Sequence, residues 1–169
     1  MPSIHIATYT SEHQQGVIDL ILPIQREEFG LPVTIDAQPD LLAISDVYQR
    51  GCGQFWLALD GAEVVGTIAL LDIGLQQVAL RKMFVRASHR GAEFGVAKAL
   101  LNTALQWSRE KNLRDIYLGT TAHFHAAHRF YEKNGFVEVA ANELPENFSA
   151  MQIDTKFYRL DLATIYSKN

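Results

Sequence analysis

Cysteine is nearly absent from this sequence, with Cys52 alone among 169 residues. One cysteine can form neither an intramolecular disulfide nor a cysteine-based zinc site. The sequence also lacks the run of about 18 apolar residues that a membrane-spanning helix needs. Its N-terminus does not show the charged-then-apolar pattern of a secretion signal. These absences predict a cytoplasmic protein that does not act at a membrane.

Positive charge is scarce as well, since 15 Lys and Arg against 19 Asp and Glu give a formal net charge of -4. Nucleic-acid binding draws its affinity from a basic face, so this balance predicts no nucleic-acid partner. The basic residues that are present concentrate in one stretch, which contains Arg81, Lys82, Arg86, Arg90 and Lys98. Glycines accompany them, which favours an anion-binding loop over a merely solvated surface.

The hydropathy pattern predicts one domain over residues 1–169 with a single core. Alternating or short apolar runs predict strands at 4–9, 54–59, 63–71, 78–85, 114–120, 135–139 and 155–162. Asp60-Gly61 predicts a hairpin turn between the second and third of these strands. Helices are expected from 11 to 30 with a kink or break at Pro23, at 40–48 with Asp40 as its cap, at 94–111 and at 123–134. Strand pairs come first and alternate with helices later, which predicts an α/β fold with a mixed sheet and helices on both faces.

The segment from 78 to 97 has the order strand, glycine loop, helix. Its loop contains Arg90, Gly91 and Gly95, and an apolar helix face follows. This arrangement binds phosphates through backbone N–H groups at a helix N-terminus. A loop that only caps the helix is the alternative that the residues leave open.

Three segments together resemble the GNAT family of acyl-CoA N-acyltransferases. They are Met83-Phe84-Val85, the stretch from Arg90-Gly91 to Leu101, and Phe130-Tyr131-Glu132-Lys133-Asn134-Gly135-Phe136. The order of elements along almost the whole chain resembles that family too. The resemblance implies a mostly antiparallel GNAT-like sheet of six to seven strands, splayed between 77–85 and 115–119. It also implies transfer of acetyl from acetyl-CoA to a primary amine, by direct attack in a ternary complex.

The resemblance further implies where acetyl-CoA binds as the cosubstrate, with no metal involved. The strand residues Met83, Phe84 and Val85 match the acetyl-binding strand of the family. The positions expected to hold the pyrophosphate are Arg90, Gly91, Ala92, Gly95, Val96 and Ala97. The loop is longer than the family pattern and places Glu93 at a usual glycine, so Glu93 is expected to point away from the phosphates.

Tyr131 matches the general acid of the family. The leaving group is a thiolate whose thiol has a pKa of about 8.5, so a neutral phenol can donate a proton as the sulfur departs. Packing of the helix against the sheet is the alternative role for this ring.

The general base is less well defined by the sequence. Many relatives place a Glu on the strand that corresponds to 79–83, where this chain has no acid. Glu28 is the predicted base, with Glu27 beside it, because the end of the first helix usually borders the acceptor site. The cluster of His123, His125 and His128 has a pKa range suited to proton transfer and stays open as an alternative, as does a chain of waters.

Two features bear on the ligands of the predicted site. Phe124 stands where many family members carry an Asn that contacts the coenzyme, so Thr120, Thr121 or His125 could supply that contact. Arg81 and Lys82 could offer charge to a carboxylate, which would suit a small metabolite or an amino-acid-like amine as acceptor. Strand periodicity places these two side chains on opposite faces, so only one is expected to face the site.

Other functions and assemblies remain open at this point. A regulatory module that binds coenzyme A without turnover is the first alternative, because the strand Glu is missing and the loop is altered. A structural or assembly protein would need an exposed apolar patch, which alternating strands do not demand. A homodimer could form by edge pairing of the C-terminal strand around Phe157-Tyr158.

Overall fold

The computed structural model describes residues 3–91, 93–122, 124–151 and 154–166. Within these ranges one sheet contains seven strands in the order β1-β2-β3-β4-β5-β7-β6. The strands are β1 (Ile4–Thr8), β2 (Gln54–Asp60), β3 (Glu63–Gly74), β4 (Gln77–Val85), β5 (Asp115–Thr120), β6 (Val137–Val139) and β7 (Lys156–Asp161). The α-helices are α1 (Gln14–Pro23), α2 (Ile44–Tyr48), α3 (Val96–Glu110), α4 (His125–Lys133) and α5 (Leu162–Tyr166).

The strand pairing confirms the predicted mixed, mostly antiparallel sheet. Among the strands of the described ranges, only β4 and β5 run parallel, because α3 carries the chain back across the sheet between them. The predicted Asp60-Gly61 turn joins β2 to β3, with Gly61 at a φ of 63°. This left-handed conformation suits glycine, which has no Cβ to clash with the backbone.

Helices cover both faces of the sheet, as predicted. On one face α3 buries Val96, Leu100, Leu101 and Ala104 against the sheet. On the other, α1 and α2 bury Val17, Leu20, Ile21 and Ile44. Each fully buried aliphatic side chain stabilises the fold by about 1.5–3 kcal/mol relative to exposure, so these two clusters fix the sheet between its helices.

The pairing of β4 with β5 stops partway along both strands. It covers Gln77↔Asp115, Val78↔Ile116 and Ala79↔Tyr117, and the strands separate beyond it. The predicted splay between 77–85 and 115–119 is therefore confirmed. In the separating half of β4 the register with β3 shifts between Ala69↔Arg81 and Thr67↔Phe84, and Lys82 has a φ of 53°. This β-bulge bends β4 away from β5.

The first helix passes Pro23 without breaking. It continues as a π-helical turn over Ile24–Glu28, in which the Phe29 N–H donates to the Ile24 carbonyl at 3.1 Å. The helical chain thus continues beyond this proline with a change in helix type, from the α-helix α1 to a π-helical turn. π-Helical turns of this kind often lie at functional sites.

Two further expectations are corrected by the structure. Asp40 lies within a 3-10 turn, Pro39–Leu42, and does not cap the following helix; its carboxylate accepts a hydrogen bond from the Tyr48 hydroxyl at 2.6 Å instead. The strand with Phe157 and Tyr158 is not a sheet edge, because β7 pairs with β5 on one side and β6 on the other. Edge pairing through these two residues is therefore not available to a dimer, and a homodimer by another surface stays a prediction.

One α-helix of the described chain lies outside the sequence prediction. The short helix α5 follows β7 directly and packs Leu162 into the core. Among the helices of the described ranges, none is long and apolar enough to cross a bilayer.

Candidate active site

A cavity of about 520 Å³ opens where β4 and β5 separate. Its size falls in the range of small-molecule and cofactor sites, about 300–1,000 Å³. The walls come from the separating strands, the end of the first helix, the start of α4 and the loop before β7. The predicted acetyl-binding residues Met83, Phe84 and Val85 all line it. This position makes the cavity the candidate active site.

The helix that follows Arg90 begins with backbone N–H groups that precede its first helical hydrogen bond. Gly91 and Gly95 have φ values of 108° and 62°, conformations that glycine adopts without strain. The Phe94 and Gly95 N–H groups both donate to the Gly91 carbonyl, and the first hydrogen bond of α3 runs from Ala99 N–H to Gly95 O. The amides of residues 96–98 precede that bond, as an anion site at a helix N-terminus requires, and anion binding by Val96 and Ala97 stays a prediction.

The sequence-predicted loop residues fall in different surroundings. Arg90 lines the cavity, and its Nε donates to the Val85 carbonyl at 2.8 Å. Glu93 is exposed and is not among the residues that line the cavity, in agreement with the expectation that it points away. Ala92 lies outside the described residues.

The loop between β4 and α3 is braced by acids of the β2–β3 hairpin. Arg86 Nη1 lies 2.6 Å from Glu63 Oε1, and His89 Nε2 lies 2.9 Å from Asp60 Oδ2. Arg86 belongs to the basic stretch predicted to bind anions, but its ion pair holds the loop to the β2–β3 hairpin. Lys98 hydrogen-bonds Asn134 in the loop after α4. Arg81, Lys82 and Arg90 remain as the basic residues of this stretch that line the cavity.

Tyr131 lies in the cavity wall and is almost fully buried. Its ring packs against those of Phe136 and Tyr158, with centroids 5.5 and 5.9 Å away. Burial raises the pKa of Tyr131 to about 12, so the hydroxyl is protonated at neutral pH. The structure gives this hydroxyl no hydrogen-bond partner among the described residues, which leaves its proton available to a ligand in the cavity.

The predicted bases do not converge on the cavity. Glu28 Oε1 lies 2.6 Å from Arg90 Nη2, and neither Glu27 nor Glu28 is among the lining residues. His128 is buried, and its Nε2 donates to the Thr121 carbonyl at 2.7 Å, whereas His125 does line the cavity. His123 lies outside the described residues. Within the described ranges no three His, Cys, Asp or Glu side chains are grouped to hold a metal ion.

Asp154 is a carboxylate in the cavity wall that sequence reasoning missed. Burial raises its pKa, against smaller lowering effects of the Met151 N–H hydrogen bond and of the Arg81 charge. The Met151 N–H donates to its Oδ2 at 2.9 Å. Its side chain packs directly on Gly119 of β5, where a Cβ would clash with the carboxylate. No periodic pattern marks Asp154, because it lies in an irregular loop brought to β5 only by the fold.

A second unpredicted feature is a set of five polar side chains behind the bulge of β4, here called the Lys82 cluster. Its members are Gln25, Gln38, Asp40, Tyr48 and Lys82. Lys82 Nζ donates to Gln38 Oε1 at 2.7 Å and lies 3.3 Å from Asp40 Oδ2. Of these side chains, Gln25 and Lys82 reach the cavity wall.

The same bulge changes the expectation for Arg81. Regular alternation predicts that Arg81 and Lys82 face opposite sides of the sheet, yet both line the cavity. The extra residue at the bulge, with Lys82 in the left-handed region, breaks the alternation at this point.

Thr121 follows β5 and has an unpaired hydroxyl in the cavity wall. Its Oγ1 is buried and has no hydrogen-bond partner among the described residues. A buried hydroxyl without a partner is costly, which indicates that a ligand completes it. Beside it, the rings of Phe124 and Phe29 stack with centroids 4.3 Å apart and close this end of the cavity with apolar surface.

Comparison with known proteins gives three related findings. A sequence profile described as Acetyltransferase (GNAT) family matches residues 18–136. N-acetyltransferase family 8 member 2 of Rattus norvegicus is 36% identical over 104 residues, which are 59% of this chain and 45% of that protein. This chain thus spans less than half the length of that relative.

Solved structures resemble this chain over almost its full length. An acetyltransferase of the GNAT family from Staphylococcus aureus MU50 has a TM-score of 0.90 at 37% identity, covering 95% of this chain and 99% of that one. A PaiA N-acetyltransferase from Thermoplasma acidophilum, solved with coenzyme A, has a TM-score of 0.70 at 16% identity, covering 94% and 99%. The second likeness shows a shared fold.

Proposed function

Because this chain belongs to the acetyltransferase (GNAT) family, we propose that it transfers an acetyl group from acetyl-CoA to the primary amine of a small molecule. The observation that carries the proposal is the cavity at the splay, which has Tyr131 in its wall and Arg90 of the phosphate-type loop at its rim. The acetyl carrier and the acceptor would meet there, and the amine would attack directly.

The residues of the cavity and of the start of α3 fit acetyl-CoA as the cosubstrate. The amides of residues 96–98 and the Arg90 guanidinium can bind the pyrophosphate. The separated edge of β4 at Met83, Phe84 and Val85 offers backbone groups to an extended ligand. The unpaired Thr121 hydroxyl can hydrogen-bond to an amide of that ligand. When bound, acetyl-CoA supplies an acyl group activated as a thioester.

We assign Tyr131 as the hydrogen-bond donor to the departing sulfur. Its high pKa keeps it protonated over the whole physiological range. The phenol is a weaker acid than a thiol of pKa about 8.5, so its main contribution is a hydrogen bond to the sulfur as negative charge develops there.

We assign Asp154 as the acceptor of the amine proton in place of the sequence-predicted Glu28. An aliphatic amine has a pKa of about 8–10.4 and must lose a proton to attack. The carboxylate of Asp154 lines the cavity, and burial makes it a stronger base than an exposed Asp. Glu28 instead holds Arg90 at the rim, where its negative charge is already paired.

The proposed function is tested by two measurements on the intact chain. Calorimetric titration with acetyl-CoA should show micromolar binding, and a free-thiol assay with a panel of primary amines should then show acetyl-CoA-dependent release. Binding without thiol release for any amine would instead support a regulatory module that binds coenzyme A without turnover. If acetyl-CoA does not bind at all, the proposed acetyl transfer is wrong.

A further inference from the structure

Lys82 places a buried ammonium group in the cavity wall, and not all of its N–H donors are used by the described residues. Its side chain is 11% exposed. An ammonium has three N–H donors, and the described residues take two of them, through Gln38 Oε1 at 2.7 Å and Asp40 Oδ2 at 3.3 Å. Burying a cation is costly unless it is paired, so a polar ligand on the cavity side would complete the site.

Both partners of Lys82 are held in place by other residues of the cluster. Gln25 and Gln38 exchange two amide hydrogen bonds at 2.7 and 3.1 Å, which fix the orientation of the Gln38 carbonyl oxygen toward Lys82. The Tyr48 hydroxyl donates to Asp40 at 2.6 Å. The ammonium is therefore preorganised, as a specificity-determining group needs to be.

The backbone at Lys82 has a strained conformation, which accompanies the position of its side chain in the cluster. A φ of 53° is unusual for a residue with a side chain, and the bulge brings Arg81 to the same cavity. A regular strand would avoid the strain and would turn one of the two cations away. Strained residues of this kind concentrate at functional sites.

The cavity wall carries charges of both signs, and Arg81 Nη2 also donates to the Ser149 carbonyl at 2.8 Å. Arg81 and Lys82 come from β4, and Asp154 packs against β5. Arg81 is close enough to Asp154 and to Lys82 to alter the titration of both. A polyamine would meet two cations at the β4 wall, whereas a molecule with an amine and a carboxylate would find a partner for each group.

We propose that the acceptor is an amine that also carries a carboxylate, and that Lys82, assisted by Arg81, binds that carboxylate. This inference rests on the proposed acetyl transfer in the same cavity. The carboxylate takes the remaining Lys82 donor, and this contact orients the amine toward Asp154. Lys82 acts as a specificity-determining residue and takes no part in the transfer of the acetyl group.

The test compares acceptors that differ by one carboxylate in a free-thiol assay at saturating acetyl-CoA. The probes are L-amino acids with their α-carboxamides, aspartate with asparagine, glutamate with glutamine, and spermidine. For the wild type, the best carboxylate acceptor should exceed its amide counterpart in kcat/KM by about tenfold or more, the effect expected for one charge-assisted hydrogen bond.

The Lys82→Met variant should lose this preference, chiefly through a higher KM for the carboxylate acceptor. Lys133→Met is the matched control, because Lys133 is exposed at the end of α4 away from the cavity. It should keep the preference. The wild-type comparison of acids with amides stands by itself if Lys82→Met does not fold.

The outcomes separate this inference from the function on which it rests. Equal turnover of amides or of spermidine would overturn the carboxylate assignment and leave acetyl transfer intact. A preference that survives in a folded Lys82→Met would overturn the role of Lys82. Binding of acetyl-CoA without acetylation of any probe would overturn the proposed function, and this inference with it.

Discussion

Arg90 Nη2 lies 2.6 Å from Glu28 Oε1, and this ion pair joins the loop before α3 to the end of the first helix. The Arg90 side chain is 43% exposed and the Glu28 side chain is 35% exposed. A pair this exposed contributes about 0–1 kcal/mol to stability. The same guanidinium is the proposed phosphate ligand, so Glu28 competes with the coenzyme for Arg90.

Glu28→Gln should therefore tighten acetyl-CoA binding by about twofold to fivefold, the factor that corresponds to releasing a pair of this strength. The value of kcat should be nearly unchanged. Calorimetry and the thiol assay give the two quantities, with Glu27→Gln as the control because Glu27 is exposed and does not line the cavity. A large fall in kcat with a shifted pH–rate profile would restore Glu28 as the general base.

Gly95→Glu should weaken coenzyme binding by placing a carboxylate at the start of α3. The backbone there has a φ of 62°, so part of any effect would be conformational strain of about 1–2 kcal/mol. Gly61→Glu controls for this, because Gly61 has a φ of 63° at the β2–β3 turn, with no atom near a Cβ placed there. Both variants should lose similar stability on thermal unfolding.

Only Gly95→Glu should then weaken acetyl-CoA binding, by about tenfold or more, since a negative charge at a helix N-terminus opposes an anionic ligand. Equal affinities in the two variants would show that the coenzyme phosphates do not bind at α3.

Thr121→Val tests whether the unpaired hydroxyl belongs to a ligand site. Valine has nearly the same shape and removes a buried oxygen without a partner among the described residues, so the free protein should gain up to about 1–3 kcal/mol. Acetyl-CoA affinity should fall by about threefold to tenfold, the value of one neutral hydrogen bond. Thermal unfolding and calorimetry measure the two effects. Higher stability with unchanged affinity would show that the Thr121 hydroxyl does not contact the coenzyme.

The parts of the fold that the sequence predicted are those set by local pattern. The strands, the Asp60-Gly61 turn and the glycine loop each depend on residues close together in the chain, so periodicity and turn chemistry indicate them directly. The family resemblance added the splay of β4 from β5, and the pairing of the strands confirms it.

The parts of the fold and of the site that the sequence did not predict depend on contacts between distant segments. Asp154 reaches β5 from an irregular loop, and Gln25 meets Gln38 and Lys82 only after α1, the following turns and β4 are packed together. The expectation that only one of Arg81 and Lys82 faces the site is wrong for a different reason. One extra residue in a bulge inverts strand alternation, and a single sequence carries no clear signal for it.

Tyr131→Phe should lower kcat by roughly 10²-fold or more, the usual effect of losing a hydrogen-bond donor that stabilises developing charge. The fold should be unaffected, because the ring keeps its packing and the hydroxyl has no partner among the described residues. Coenzyme affinity should also stay the same. Since the pKa of Tyr131 is about 12, the wild-type profile should show no alkaline loss from this group below about pH 11. Unchanged turnover in the variant would remove Tyr131 from the mechanism.

Asp154→Asn separates a catalytic carboxylate from a structural one by opposite effects on activity and stability. The pKa of Asp154 is raised in the folded protein, so the folded state holds its proton more tightly than the unfolded state. The wild type therefore loses stability as pH rises from the unfolded pKa, about 3.9, through the higher folded value. Asparagine removes this loss and keeps an oxygen for the Met151 N–H.

The melting temperature of Asp154→Asn should thus equal or exceed that of the wild type at neutral pH, and the difference should vanish at pH values below both pKa values. In contrast, kcat should fall by roughly 10²-fold or more, as expected for loss of a general base. In the wild-type pH–rate profile, the acidic limb should have an apparent pKa above the ordinary Asp range. This limb should disappear in the variant. A variant that is less stable at neutral pH but fully active would make Asp154 a support for Gly119 and the loop, and the amine proton would then leave by another route.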